Sequence, residues 1–311
     1  MNQLFWSAYK RLEKEVLALS EAIHFDDSQL GVYSSKIGDL LVRTVIEIES
    51  LSKVLYFSNG GTQPIDRSYV YFDTDCLALL ESKWKIGKKV IQVSSPYLYF
   101  EKEKNRILTP LYKASKSGDK SAEWMRAYQA VKHDRVNNLK KGNIKNLLNA
   151  LGALYILNIY YRDATFENVN DKDASNIDWG LGSEIFTVKI SRETGKVSST
   201  VIYEPKLDYE ESVYLIKHTD KSAQAFIDLI QQQHQLMVNE AREEVIRFII
   251  EKPVIDNQTK QVTESFQKQI NHVFSEKYSE SFHRMLKQNN KQLTSVISDL
   301  RYEAVLNKQQ F

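Results

Sequence analysis

The stretch WMRAYQAVKHDR at positions 124–135, continued by VNNLKKGNIKNLLNALGALYIL at 136–157, decides the fold. Its first part predicts a helix from Glu123 to Lys141, ended by Gly142, with aromatic and apolar side chains gathered on one side. Its second part predicts a more apolar helix from Asn143 to Tyr161, whose small residues favour close packing against other helices. Two consecutive helices of this kind indicate a helical bundle.

The first of these helices carries an arginine and a histidine on one face. Arg126 and His133 are seven positions apart, so they lie two turns apart along the helix and differ by only about 20° around its axis. Trp124, Tyr128 and Val131 cluster on the opposite face and are the expected core contacts. Arg126 and His133 therefore point away from the core, toward solvent or toward a groove formed with another subunit.

The chain before this stretch predicts two further helices. One runs from Phe5 to Ile23, and the other begins near Ser34 and stops at Asn59-Gly60-Gly61. The second has a continuous apolar stripe at three- and four-residue spacing, formed by Ile37, Leu40, Leu41, Val45, Ile48, Leu51 and Leu55. With only 5 prolines and 11 glycines in 311 residues, the chain is expected to be mainly α.

The remaining segments predict an insertion and a C-terminal region of mixed structure. Residues 62–118 are less regular, with a short helical pattern and a short strand, and form an insertion between the helices. The polar stretch 165–183 is the expected boundary between a helical bundle, 1–163, and a C-terminal region, 184–311. That region is expected to hold a small antiparallel β element followed by long helices. Its predicted parts are a hairpin of 184–191 with 196–203, turning at 192–195, a strand at 213–217, and helices over 222–250 and 262–307.

Composition excludes several classes of protein. No run approaches the roughly 20 apolar residues that span a bilayer, and the start lacks the features of a secretory signal, so we expect a cytoplasmic protein without a membrane partner. The single cysteine, Cys76, excludes an intramolecular disulfide and a Cys-cluster zinc site, and is expected to be a small buried side chain. The usual phosphate-loop, dinucleotide, zinc-protease and serine-hydrolase motifs are absent. We therefore expect no metal and no cofactor.

The charge of the chain is unevenly distributed. The formal net charge is only +2, yet residues 101–145 contain 12 Lys and Arg against 5 Asp and Glu. A segment with this excess is either a surface for phosphate backbones or a solvated surface. Composition by itself favours the solvated surface.

The motif helix resembles that of a known family. The Arg-x6-His spacing of Arg126 and His133, the following KKGNIKNLLNALGALYIL, and the upstream YSSKIGDLLVRTVIEIESLSKVLY at 33–56 are similar to the HEPN superfamily of helical-bundle ribonucleases and toxins. The resemblance covers roughly residues 30–162, with 62–118 as an insertion. Many active members have Asn, Asp or His directly after the motif arginine, whereas Ala127 stands there in this chain.

The resemblance implies an antiparallel HEPN-like bundle and a metal-independent endoribonuclease. His133 is then a general acid or base, Arg126 holds the scissile phosphate, and the 2′-oxygen attacks to leave a 2′,3′-cyclic phosphate. The family commonly forms this site across a homodimer. Four basic residues are the expected RNA contacts: Lys132, Arg135, Lys140 and Lys141. Such an enzyme is typically a toxin or an anti-phage defence effector, with a neutralising or triggering protein as a further partner.

The sequence permits two functions for this site. The alternative to the ribonuclease is a non-catalytic HEPN-like dimeric scaffold or sensor that binds RNA, a nucleotide or a partner protein. Glu47 is a candidate for positioning Arg126, but the spacing favours structural pairs of Glu47 with Arg43 and of Glu49 with Lys53.

Overall fold

The computed structural model describes residues 3–169, 174–192, 194–197, 201–204, 208–251, 264–288 and 299–310. The chain is mainly helical, as its composition predicted, with several small sheets. It forms two compact units. Unit 1 comprises Met1–Thr194, Glu204–Lys217 and Glu303–Phe311, and unit 2 comprises Gly195–Tyr203 and His218–Tyr302. The two units do not coincide with the predicted ranges 1–163 and 184–311, because residues 184–194 belong to the same unit as the bundle.

The described residues contain nine α-helices. They are α1 (Leu4–Ala22), α2 (Ser35–Ser58), α3 (Ala78–Trp84), α4 (Glu103–Arg106), α5 (Glu123–His133), α6 (Arg135–Asn138), α7 (Ile144–Arg162), α8 (Asp220–Glu251) and α9 (Glu264–Gln288). Of these, α4 and α6 were not predicted. Within the described ranges, none is both long and apolar enough to cross a membrane.

The strands are short and form small sheets. They are β1 (Phe25–Asp26), β2 (Ile91–Val93), β3 (Leu98–Tyr99), β4 (Ile107–Leu108), β5 (Phe166–Val169), β6 (Phe186–Val188), β7 (Ile190–Arg192), β8 (Thr194–Val197), β9 (Val201–Glu204), β10 (Tyr214–His218) and β11 (Tyr302–Leu306). The sheets have the strand orders β1-β3, β5-β11-β10-β7, β4-β2-β6 and β8-β9.

The core of unit 1 is a bundle of α1, α2, α5 and α7. Helix α2 packs against both α5 and α7, and α1 packs against α2 and α7. All seven residues of the predicted α2 stripe are buried, which confirms that periodicity placed its core face correctly. Helix α7 is buried on nearly every side because α1, α2 and α5 surround it. Ser34 caps α2 by accepting a hydrogen bond from the Ile37 amide at 3.2 Å.

The prediction of one continuous helix from Glu123 to Lys141 is wrong, because the helical conformation is interrupted at Asp134. Helix α5 ends at His133, and the Asp134 backbone leaves the helical region with φ −147° and ψ 74°. The Asp134 carboxylate instead caps α6, accepting a hydrogen bond from the Asn137 amide at 3.3 Å. A 3₁₀ turn over Leu139–Lys141 follows and leads into Gly142. The break turns the lysines of that turn back toward α5.

The insertion contains the predicted helix and strand, and it contributes to the core. A π-helical segment, Phe72–Leu77, leads into α3, and β2 lies within the predicted 88–94 segment. Strand β2 pairs antiparallel with β4 on one side and with β6 on the other, in the register Ile91↔Val188 and Val93↔Phe186. The insertion therefore joins the chain segment that follows α7.

The predicted hairpin of 184–191 with 196–203 is wrong in its partners. Strand β6 pairs with β2, β7 pairs in parallel with β10, and β8 pairs with β9. Phe186 is fully buried, and its ring centroid lies 5.6 Å from that of Tyr155 in the bundle. Strand β6 therefore lies in the core, where it pairs with β2. The predicted strand at 213–217 and the helix at 222–250 are confirmed as β10 and α8.

The predicted helix over 262–307 is correct only for α9. Residues 302–306 form strand β11, which lies between β5 and β10 in the four-stranded sheet. Residues 289–298 of that predicted helix lie outside the described residues.

Candidate active site

Helix α5 presents its two faces as the sequence predicted. Trp124, Tyr128 and Val131 are buried, whereas Arg126 and His133 are exposed. The Trp124 indole Nε1 donates a hydrogen bond of 2.8 Å to the carbonyl oxygen of Pro110, which anchors the helix to the end of the insertion. The arginine and histidine thus lie on a helix whose opposite face is packed in the core.

Gln129 lies between the two candidate catalytic residues. His133 Nε2 is 3.2 Å from the Gln129 Oε1 atom, and Arg126 is one turn further toward the start of the helix. Seven residues of helix separate the Cα atoms of Arg126 and His133 by about 10.5 Å. The two side chains share a face but are not in contact with each other in the described structure.

Backbone carbonyls hold one end of the Arg126 guanidinium. Its Nη1 atom donates to the carbonyl oxygen of Asp119 at 3.2 Å and to that of Ser121. These carbonyls belong to a 3₁₀ turn that begins at Gly118, where φ is +59°, a left-handed value that glycine adopts without strain. The Ser121 hydroxyl closes the turn by donating to the Gly118 carbonyl at 2.7 Å. The Nη2 and Nε donors make no hydrogen bond within the described residues and are available to a ligand.

A cavity of about 720 Å³ opens beside Arg126, a volume within the usual range of ligand sites. Arg126 and Gln129 of α5 line it together with Lys140, Lys141 and Asn146 from the segment after the helix break. Neither lysine has an ion-pair partner among the described residues. The cavity also contains acidic groups, Asp73 and Asp119 among them, and His133 is not part of its lining.

The four predicted RNA-binding residues divide into two pairs. Lys140 and Lys141 line the cavity beside Arg126. Lys132 instead donates a 3.0 Å hydrogen bond to the Tyr128 hydroxyl, which raises the pKa of the lysine, and its ammonium lies 5.1 Å from the centre of the Tyr128 ring. Arg135 forms an exposed ion pair of 2.6 Å with Asp39 of α2. The structure therefore places two of the four next to Arg126.

The predicted pairs of Glu47 with Arg43 and of Glu49 with Lys53 are not among the ion pairs of the described residues. Glu49 accepts a 3.0 Å hydrogen bond from the Tyr128 hydroxyl, whose pKa is raised by burial, and Arg43 forms a 2.7 Å ion pair with Glu15 of α1. Glu47 lines a separate cavity of about 200 Å³ with Arg11 and Arg43. The hypothesis that Glu47 positions Arg126 is wrong, because the Asp119 and Ser121 carbonyls hold that guanidinium.

Two further features concern the motif and metal binding. Ala127 is 3% exposed at the edge of the cavity, so the position after the motif arginine faces inward in this chain. Cys76 is buried, and burial raises the pKa of its thiol to about 12. Among the residues that the structure describes, no group of three or more His, Cys, Asp or Glu side chains is placed to hold a metal ion.

The site contains groups that sequence analysis missed. The carbonyls of Asp119 and Ser121 carry no side-chain signal, and Asn146, which also lines the cavity, lies on α7 outside the motif helix. The Gly118-Asp119-Lys120-Ser121 sequence before α5 is typical of a turn. It does not indicate that carbonyl oxygens of this turn bind Arg126.

Comparison with known proteins identifies no relative of the chain. A scan against protein-family models and searches of the curated proteins and of the solved structures find no match to the chain.

Proposed function

We propose that the chain is a HEPN-like, metal-independent endoribonuclease whose site is centred on Arg126 and His133. The observation that carries the proposal is the free side of the Arg126 guanidinium, which opens into a cavity beside Lys140 and Lys141. The cavity lining has three cations and also three carboxylates, those of Asp73, Asp119 and Glu123, so the support comes from the guanidinium fork, which fits a phosphate group, and not from net charge.

In the proposed reaction, the groups of this chain move one proton and stabilise one developing charge. His133 accepts the proton of the ribose 2′-hydroxyl or donates one to the departing 5′-oxygen, and water exchanges the other proton. As the 2′-oxygen bonds to phosphorus, the bond to the 5′-oxygen breaks. The products are a 2′,3′-cyclic phosphate and a 5′-hydroxyl end. Arg126 stabilises the charge on the phosphoryl oxygens during this step.

The proposal includes a homodimer because Arg126 and His133 of one chain are two helical turns apart and do not contact each other. Two α5 helices packed antiparallel about a two-fold axis near residues 129–130 would place Arg126 of one copy beside His133 of the other. Both residues are exposed on the same face, which is what such an arrangement requires. The symmetric pairing would create two equivalent sites.

The proposed cellular role is that of a cytoplasmic toxin or anti-phage defence effector, with a protein that neutralises or triggers it. This part of the proposal rests on the resemblance of residues 30–162 to the HEPN superfamily.

A second candidate is a non-catalytic HEPN-like dimeric scaffold or sensor that binds RNA, a nucleotide or a partner protein. Two observations favour it: Arg126 already donates to backbone carbonyls of its own chain, and Ala127 stands where active members of the family have a polar residue.

The deciding experiment is RNA cleavage in excess EDTA by the wild type, Arg126→Ala and His133→Ala. The substrates are labelled tRNA and an unstructured strand, and product ends are tested for cyclic phosphate. His272→Ala is the matched control, because this histidine is exposed on α9 and does not line the cavity beside Arg126. We expect both site variants to lose about 100-fold or more of the activity and the control to keep it.

Two results would argue against the ribonuclease. A folded, dimeric wild type that binds RNA and leaves it intact would favour the scaffold. Cleavage that persists in both site variants would show that the reaction takes place at another site.

A further inference from the structure

A second cavity adjoins the first at Arg126. Its volume is about 310 Å³, and Ser121, Glu123, Arg126 and Asn146 line both cavities. Arg126 therefore lies at the junction of two concave surfaces. A ligand longer than one phosphate group has room on both sides of the guanidinium.

The second cavity differs from the first in having an exposed aromatic ring. Tyr112 is 60% exposed there, and its hydroxyl has no hydrogen-bond partner within the described ranges. The Lys113 ammonium lies 5.2 Å from the centre of the Tyr112 ring. The lysines Lys140 and Lys141 do not line this cavity. The first cavity thus has cations and carboxylates in its lining, and the second has an aromatic ring with a cation over it.

Two asparagines supply acceptors in the second cavity. Asn146 Nδ2 donates to the Lys141 carbonyl at 2.8 Å, and Asn149 Nδ2 donates to the Lys145 carbonyl at 2.9 Å. Both amides are thereby oriented, and their Oδ1 atoms remain available to accept hydrogen bonds from exocyclic amino groups of a base.

The Lys145–Glu123 ion pair at this cavity is replaceable. The two groups are 2.6 Å apart, and each is about half exposed. An exposed pair of this kind contributes little to stability, so a phosphate can replace Glu123 as the partner of Lys145 at small cost.

We propose that this second cavity binds an unpaired nucleobase of single-stranded RNA, stacked on Tyr112, next to the phosphate held by Arg126. The inference rests on the proposed function, since it assigns a neighbouring subsite for the same ligand. Aromatic side chains stack on any base, because every base has a π face, and the ring of Tyr112 is the exposed aromatic surface here. A base must leave its duplex to enter the cavity, so the subsite selects single strands over paired RNA.

The test measures binding of a short fluorescent RNA strand in EDTA, in a His133→Ala background that keeps the strand intact. Tyr112→Ala and Tyr112→Phe are compared in this background. Tyr97→Ala is the control, because Tyr97 is 59% exposed and lines neither cavity. Thermal melting checks that each variant is folded.

We expect Tyr112→Ala to raise the dissociation constant by about fivefold or more, the range set by stacking of one base. Tyr112→Phe keeps the ring and should bind within about twofold of the background, and Tyr97→Ala should not change binding. A strand of the same length without bases should bind equally to the background and to Tyr112→Ala.

Several results would overturn the subsite. They are equal binding of the RNA strand by Tyr112→Ala and the background, loss of binding in Tyr112→Phe equal to that in Tyr112→Ala, or no binding of RNA at all. Failure of the two proposals is distinguishable. Tyr112-dependent binding without cleavage by the wild type would refute only the enzymatic activity, whereas cleavage with Tyr112-independent binding would refute only the base-stacking subsite.

Discussion

Lys89 is a buried lysine whose replacement should change how the stability of unit 1 depends on pH. Its side chain is fully buried just before β2, and its Nζ atom donates to the carbonyl oxygens of Glu210 and Ser212, both at 3.0 Å. Burial lowers the pKa of Lys89 to about 7, since the charged ammonium loses its hydration. Both the neutral amine and the ammonium have enough N–H groups for the two carbonyls.

The sign of the effect follows from the protons bound in each state. In the unfolded chain the pKa of a lysine is about 10.4, so between pH 7 and pH 10 the unfolded chain holds a proton that folded Lys89 has released. The free energy of unfolding therefore rises with pH in this window, by about 1.4 kcal/mol per pH unit. Between pH 7.5 and pH 9.5 the contribution of Lys89 amounts to about 2.5 kcal/mol.

Lys89→Met removes this contribution while keeping a long apolar side chain. The free energy of unfolding of the wild type, minus that of Lys89→Met, should increase by about 2.5 kcal/mol from pH 7.5 to pH 9.5. Other titrating groups cancel in this difference. Urea unfolding followed by tryptophan fluorescence is the suitable assay, because all 4 tryptophans lie in unit 1 together with Lys89.

Lys88→Met is the matched control. Lys88 is exposed and pairs with Glu210, which raises its pKa, so this lysine is protonated in both states throughout the window. Its difference from the wild type should stay constant with pH. A constant difference for Lys89→Met as well would refute the reasoning, since it would mean that the two carbonyls keep buried Lys89 charged.

Two further substitutions test the packing that shapes the candidate site, both measured by the same unfolding assay. Gly142→Ala should destabilise unit 1 by about 1–3 kcal/mol, because a Cβ atom there would lie 2.9 Å from the Cα of Gly38, whereas Gly31→Ala, where a Cβ meets nothing within 4 Å, is the control. An equal effect of the two would contradict the close approach of α2 to the segment after α6. Asp134→Ala should lower the free energy of unfolding by about 1 kcal/mol through loss of the α6 cap. Asp134→Asn should lower it by less, because asparagine also caps helices. Equal losses in the two variants would mean that the cap does not contribute to stability.

The faces of individual helices were predictable from the sequence. The α2 stripe from Ile37 to Leu55 and the buried side of α5 follow from a period of 3.6 residues, which is a local property of the chain. The same periodicity placed Arg126 and His133 on one exposed face. Lys140 and Lys141 were expected RNA contacts only through the resemblance to a known family, and the structure brings both to the cavity beside Arg126.

The break at Asp134 was encoded locally but was not recognised. Aspartate is a common cap residue, and Asp134 begins α6 directly after α5 ends. The apolar pattern continued past it, so the periodicity predicted one helix where the structure has two helices and a turn. The position of Lys140 and Lys141 beside Arg126 depends on this break.

The sequence by itself determined the mainly helical class, the core faces of α2 and α5, and the residue types available for binding an anion. Only the tertiary structure decided the partners of β6, the carbonyls that hold Arg126 and the two cavities that meet there. The physical reason is that periodicity records which side of an element is buried, but not against what. Strand partners separated by nearly a hundred residues are selected by burial in a common core, and backbone carbonyls, being the same in every residue, gain their role only from their position in the folded chain.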